Sequence, residues 1–195
     1  MRYASGHKAE TRERVLKEAA KEIRAKGPDN VAVAGIMARA GLTHGGFYAH
    51  FPSKDVLVKE AIGTMFVDAR KRTERIDASG DPRAVLRAYV DFYLSPAHRD
   101  SRDRGCPLPT LSGDFARSKP DTRERFGKGV VGIAGRLAAA LSRLGYAEGE
   151  AHALLAQLVG AVALARAVGD AELSDQLLAH THASIVARYG LETAQ

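Results

Sequence analysis

Apolar residues recur every three to four positions along almost the whole chain, while runs able to start a sheet are nearly absent. The single β-branched cluster, Val31 to Val33, is too short to begin one. Val15, Ala19 and Ile23 stand at i, i+4 and i+8, and Leu16 and Ala20 widen the stripe. The spacing predicts a helix from about Glu10 to Lys26, stopped by Gly27 and Pro28. A second, Val33 to Ala40, carries Ile36, Met37 and Ala40, and Gly41-Leu42 then turns the chain. Thr43 is placed as N-cap of a third short helix, His44 to His50, which Phe51-Pro52 closes. Ser53 caps a longer helix from Lys54 to about Arg75, with Leu57, Ala61 and Met65 on one row and Val58, Ile62 and Phe66 on the next. Ser79-Gly80-Asp81-Pro82 combines a turn, an Asp cap and a proline at the first helical position. It opens a helix whose buried face is expected to hold Val85, Tyr89, Phe92 and Tyr93. Ser95 to Gly105 reads as polar and irregular. Four more helices are expected: one around Leu108 to Arg117, then Pro120 to about Leu144, Glu148 to Val168 and Ala171 to Tyr189. The fold class is therefore all-α, with about nine helices.

Composition narrows the class further. With 45% apolar and 27% charged residues the chain is globular, and its single cysteine, Cys106, excludes an internal disulfide. Met1 to Lys17 is too polar to resemble a signal peptide. The longest apolar run, Ala151 to Val168, is interrupted by His152, Gln157, Gly160 and Arg166, and a membrane span needs about 20 apolar residues. A cytoplasmic protein with no membrane partner is expected. The net charge of +6 is unevenly placed: residues 1–75 hold 15 Lys+Arg against 9 Asp+Glu, and residues 76–195 hold 14 of each. A basic segment joined to a neutral one points to a polyanionic partner for the first part, beside the plainer reading of a solvated helix surface.

Three short helices with a glycine turn between the second and third match a helix-turn-helix. In that motif the third helix enters the major groove and the second crosses the DNA backbone. Spacing alone is weak evidence, but the residues go further. Thr11-Arg12-Glu13-Arg14-Val15-Leu16, Ile36-Met37-Ala38-Arg39-Ala40-Gly41-Leu42-Thr43 and Phe47-Tyr48-Ala49-His50-Phe51-Pro52-Ser53-Lys54 resemble the DNA-binding domain of TetR-family transcriptional regulators, over about Glu10 to Ile62. Gly105-Cys106-Pro107-Leu108 is similar to a pattern in one subgroup.

The resemblance implies a DNA-binding domain over residues 1–53 and a ligand-binding and dimerisation domain over 54–195, connected by helix 54–75. It implies a ligand-responsive repressor that binds a near-palindromic double-stranded operator and is released by a small-molecule effector. The homodimer is expected through helices 148–168 and 171–189. Among the DNA-binding positions, His44, Gly45 and Gly46 occupy the first turn, where base edges are met. Two glycines there cost about 2 kcal/mol of helix propensity, which close approach to DNA would justify. Tyr48 resembles the family tyrosine that reaches phosphate, and Arg39 and Lys54 offer charge. Thr43 fits a cap and a phosphate contact equally, and His50 fits phosphate contact and packing equally. Phe47 and Phe51 read as core. Two positions depart from the family: Ala32 replaces the usual Ser or Thr cap of the second helix, and Gly35 an acidic residue. Binding would then lean on Arg12, Arg39 and Lys54.

The effector pocket is expected among Met65, Phe66, Tyr89, Phe92, Tyr93, Cys106, Leu111, Phe115 and Phe126, each of which also reads as ordinary core. The row Gly129, Gly132 and Gly135 either leaves room for a ligand or admits a close neighbour. No metal site, cofactor site or nucleophile–base pair is evident, so an enzyme is not expected. Cys106 precedes a helix start and follows Arg99, Arg102 and Arg104, a setting that favours thiolate. That suggests an electrophile- or oxidant-sensing repressor as an alternative, beside a small buried apolar cysteine. A helical enzyme with Cys106 as nucleophile, and a helical scaffold, are the remaining readings.

Overall fold

The computed structural model describes residues 2–74 and 80–192. Among these are nine α-helices and one 3-10 helix, with no strand. They are α1 (Arg2–Lys26), α2 (Val33–Arg39), the 3-10 helix (His44–Ala49), α3 (Lys54–Glu74), α4 (Pro82–Tyr93), α5 (Pro96–Asp100), α6 (Leu108–Ala116), α7 (Pro120–Arg143), α8 (Glu150–Ala167) and α9 (Ala171–Tyr189). The sequence readings at Ser79 and Arg75 lie outside the described residues.

Local chemistry explains most boundaries. Gly27 adopts φ +80 and Gly41 φ +71, so each ends its helix in the left-handed region that glycine enters without strain. The Ser53 hydroxyl accepts from the Val56 amide at 3.2 Å at the start of α3. Asp81 caps α4 by accepting from the Arg83 and Ala84 amides, with Pro82 in the first turn. Both match the sequence reading. α1 begins eight residues earlier than expected; residues 6–9 of this extension are exposed, so no apolar stripe marks it. The buried face of α4 is Leu86, Tyr89, Val90 and Tyr93; Phe92 is only half-buried, and Val85 likewise. The stretch read as irregular contains α5, made possible by the Ser95 hydroxyl accepting from the His98 amide and by Pro96 in the first turn.

The buried side chains form one continuous cluster. α1 lies along α3 through Val15, Ala19, Ala20 and Ile23, all fully buried, and burial contributes about 1.5–3 kcal/mol for each of the larger ones. α3 then packs on α7, α7 on α8 and α4, and α8 on α9. The long helix α3 thus touches both the N-terminal three-helix cluster and the rest of the molecule. Among the described residues, no helix is long and apolar enough to cross a membrane.

Candidate nucleic-acid interface and inner cavity

The 3-10 helix is held from beneath and open above. Phe47 is 1% exposed and Phe51 fully buried, their rings stacked at 5.8 Å. Tyr48, by contrast, is 71% exposed, and Thr43, His44, Gly45 and Ala49 are exposed beside it. Gly46 and His50 are half-buried. The segment is 3-10 rather than α-helical, because its two glycines carry little helix propensity and no side chain caps its start. Thr43 occupies the N-cap position but makes no capping hydrogen bond, so its hydroxyl and the first amides stay unspent. Ala32, at the N-cap of α2, likewise supplies no cap.

Several cations expected to face a polyanion are tied inside the chain. Arg12 pairs with Glu60 of α3, donates to the His50 carbonyl at 3.4 Å and covers the Phe51 ring at 4.7 Å. It therefore fixes the closing turn of the 3-10 helix against α1 and α3. Arg39 pairs with Glu22 at 2.9 Å and lies over Gly35, where a Cβ would make ordinary contact with it at 3.8 Å. Lys54 donates to the Asp29 carbonyl at 3.0 Å from a half-buried position. The Nδ1 atom of His50 is buried without a hydrogen-bond partner.

The residues read as pocket-lining separate into two groups. Met65, Leu111, Phe115 and Phe126 are packed into the core, with the Phe115 and Phe126 rings 4.8 Å apart. Phe66 lines a cavity of about 410 Å³ between α3 and α7. Tyr89, Phe92, Tyr93 and Cys106 line a small inner space of about 20 Å³. Arg136 and Ile133 border both spaces. The glycine row of α7 divides in the same way. Gly129 is filled by the Phe66 ring, whereas a Cβ on Gly132 would meet no heavy atom within 4 Å, and this position opens on the cavity. Sequence reasoning passes over Arg125, Gly63 and Arg136. Arg125, Gly129, Gly132 and Arg136 recur at i, i+4, i+7 and i+11, so a search for one polar stripe on α7 would find them.

Cys106 is not the activated thiol that its neighbours in sequence suggest. It is buried, and desolvation pushes its thiol up, outweighing the Tyr93 hydroxyl, the Leu108 amide, Arg24 and Arg166, which all act downward. Arg99 is turned to Asp100, Ser174 and Asp175, and Arg102 to the Arg166 carbonyl. His98 also is spoken for: Nδ1–H donates to the Tyr93 carbonyl at 2.7 Å, and Nε2 accepts from the Cys106 amide at 3.0 Å. That pair of partners assigns a neutral ring with its proton on Nδ1. Neither nitrogen serves the thiol, so the two do not form a nucleophile–base pair. Gly105 is required here, because a Cβ would lie 2.8 Å from the Ser101 carbonyl and 3.0 Å from His98 Nε2. Iodoacetamide should alkylate native Cys106 about a hundredfold more slowly than the unfolded chain at pH 8. Rates within tenfold of each other would show an open thiol. Among the described residues, no cluster of three or more His, Cys, Asp or Glu side chains is placed to hold a metal.

Comparison with known proteins bears on this surface. Residues 15–61 match the model of the bacterial regulatory proteins of the tetR family. An uncharacterized HTH-type transcriptional regulator of Bacillus subtilis, YdgC, is 37% identical over 67 residues. That match spans 34% of this chain and 34% of YdgC, so the matched stretch is about a third of that relative's length. A TetR transcriptional regulator from Chloroflexus aurantiacus superposes with a TM-score of 0.76 at 27% identity, over 95% of this chain and 97% of its own. A TetR-family regulator from Agrobacterium tumefaciens gives a TM-score of 0.78 at 21% identity, covering 93% and 98%, and shares the fold.

Proposed function

We propose that this chain, similar to TetR-family transcriptional regulators in its residues 15–61 and in its fold, is one of them, that it binds a near-palindromic operator as a homodimer, and that it leaves the operator when a small molecule occupies the α3–α7 cavity. The observation that carries the reading is the 3-10 helix: its aromatic underside is locked into the core while Thr43, His44 and Tyr48 project outward. In this reading residues 1–53 are the DNA-binding domain and residues 54–195 the ligand-binding and dimerisation domain, with α3 linking them. His44 and the Gly45-Gly46 backbone meet base edges. Thr43, Tyr48, His50, Arg39 and Lys54 meet phosphates, and Arg39 and Lys54 exchange or share their internal partners to do so.

Dimerisation is supported by what α8 and α9 leave uncovered. Leu164 is 56% and Leu173 44% exposed, and Ala153, Ala156, Ala183 and Ala187 are exposed with them. Small and apolar side chains on two adjacent helices suit a two-fold helical interface. Two reading heads about 34–36 Å apart would then meet successive major grooves. A repressor is the direct outcome of operator occupancy, and its site of action is the cytoplasm. A thiol-sensing mechanism is disfavoured by the burial of Cys106, so mild oxidation is expected to leave operator affinity unchanged.

Gel-shift titration at two salt concentrations tests the reading. Affinity should fall steeply with salt, because phosphate contacts release counterions. His44→Ala should change sequence preference, costing about 1–3 kcal/mol at the base it reads. Lys54→Ala should weaken every sequence alike and lower the salt slope by about one. Binding indifferent to sequence, or equal losses from both variants on all sequences, would refute it.

A further inference from the structure

We infer that the α3–α7 cavity takes an amphipathic carboxylate, its anionic end gripped by Arg136 and its flat apolar body laid against Phe66 and Ile133. This deepens the effector-release reading above and rests on it. The cavity, about 410 Å³, is of the size that small-molecule sites commonly have. Four cationic side chains line it, Arg70, Arg125, Lys128 and Arg136, and not one carboxylate does. Lys128 is offset by Glu124 at 2.6 Å, and Arg70 by Glu74 at 3.3 Å, both outside the lining. No ion pair joins Arg125 or Arg136 to any carboxylate among the described residues.

Arg136 is the sharper case. Its Nη1 atom is buried and has no hydrogen-bond partner. A guanidinium cannot shed its proton to escape that state, so its unmet hydrogen bond persists until an acceptor arrives. The same side chain borders the inner space, where the Tyr93 hydroxyl faces the Cys106 thiol. The unspent Nη1 atom therefore marks one end of the cavity. A carboxylate accepts two hydrogen bonds from a guanidinium in a matched plane, which a neutral amide cannot reproduce.

Glycines supply the room. Gly63 lets the Arg125 guanidinium lie directly on α3, since a Cβ there would overlap it. Gly132 leaves the middle of the cavity empty, and Phe66, Val67 and Ile133 give it apolar walls. The combination of a guanidinium end with an aromatic wall selects against inorganic phosphate, which has no apolar body to bury.

Calorimetric titration of the full-length protein with 2-naphthoate, 2-naphthamide and inorganic phosphate tests this. Naphthoate should bind saturably, naphthamide at least about tenfold more weakly, and phosphate without saturation. Arg136→Gln should weaken naphthoate at least about tenfold without lowering the melting temperature, and Gly132→Leu should abolish binding by filling the space. Arg117→Gln, at a surface ion pair with Asp114, should bind naphthoate as the native protein does. Equal affinity for acid and amide, phosphate binding as tight as naphthoate, or native affinity in Arg136→Gln would overturn the inference. A parallel gel shift separates it from the reading beneath it. Saturable naphthoate binding that leaves operator affinity unchanged supports the anion site and overturns effector release. Operator binding with no naphthoate saturation overturns the anion site alone.

Discussion

Phe47→Ala is expected to destabilise the protein by about 3–5 kcal/mol and to remove operator binding, because the ring is the floor of the reading head. Phe47 is 1% exposed, stacks on Phe51 and takes the edge of Tyr48 at 5.2 Å. The 3-10 helix above it has two glycines and no side-chain cap, so it has little stability of its own to fall back on. Truncation removes the transfer free energy of the ring and leaves a void that the flanking turns can only partly close. Urea unfolding, followed by circular dichroism, reads the loss, and a gel shift at a temperature where the variant remains folded reads the function. A change below about 1 kcal/mol would show that the ring is not part of a packed core.

The second large effect is expected at Arg24. This arginine is 2% exposed, and both of its Nη atoms are engaged. Nη1 donates to the Asp103 carbonyl at 3.0 Å, and Nη2 to the Asp68 carboxylate at 3.2 Å and the Met65 carbonyl at 3.4 Å. One side chain of α1 thereby holds α3 and the segment leading to Cys106. Arg24→Met keeps the apolar stem but leaves a carboxylate and two carbonyls without their donor. The expected cost is about 3 kcal/mol, the lower end for a broken buried pair, since Asp68 is 36% exposed and partly rehydrates. Arg24→Met with Asp68→Leu should recover part of it. A double variant as unstable as the single one would show that the carbonyl contacts, not the ion pair, dominate.

Arg24 also marks the limit of what the sequence discloses. It continues the row of Leu16 and Ala20, unlike Lys21 and Lys26, which pair with Glu18 and Glu22 on the helix surface, but that row does not say what it binds. Its partners lie 41 to 79 residues away. Arg12 repeats the lesson: the sequence presents it as a cation for DNA, and the fold uses it to clamp the turn after the 3-10 helix. The sequence sets Cys106 beside upstream arginines, which α5 and its packing on α8 turn elsewhere. The cavity is half legible. Apolar spacing points to Phe66 on its wall, and to Tyr89, Phe92, Tyr93 and Cys106 around the adjoining small space, but not to the cations that give it chemical character, because a search for a pocket among apolar residues passes over arginine.

What the amino-acid order alone determined is local: the helices from their periodicity, their ends from Gly27, Gly41, Ser53 and Asp81, and the position of the short helix His44–Ala49. These depend on hydrogen bonds and side-chain spacing within a few residues, so each can be read from its own segment. The tertiary structure alone decided which arginines remain unspent and that Cys106 is shut away from water. Those outcomes depend on which distant helices meet, and desolvation and ion pairing are sums over every element that packs around a group.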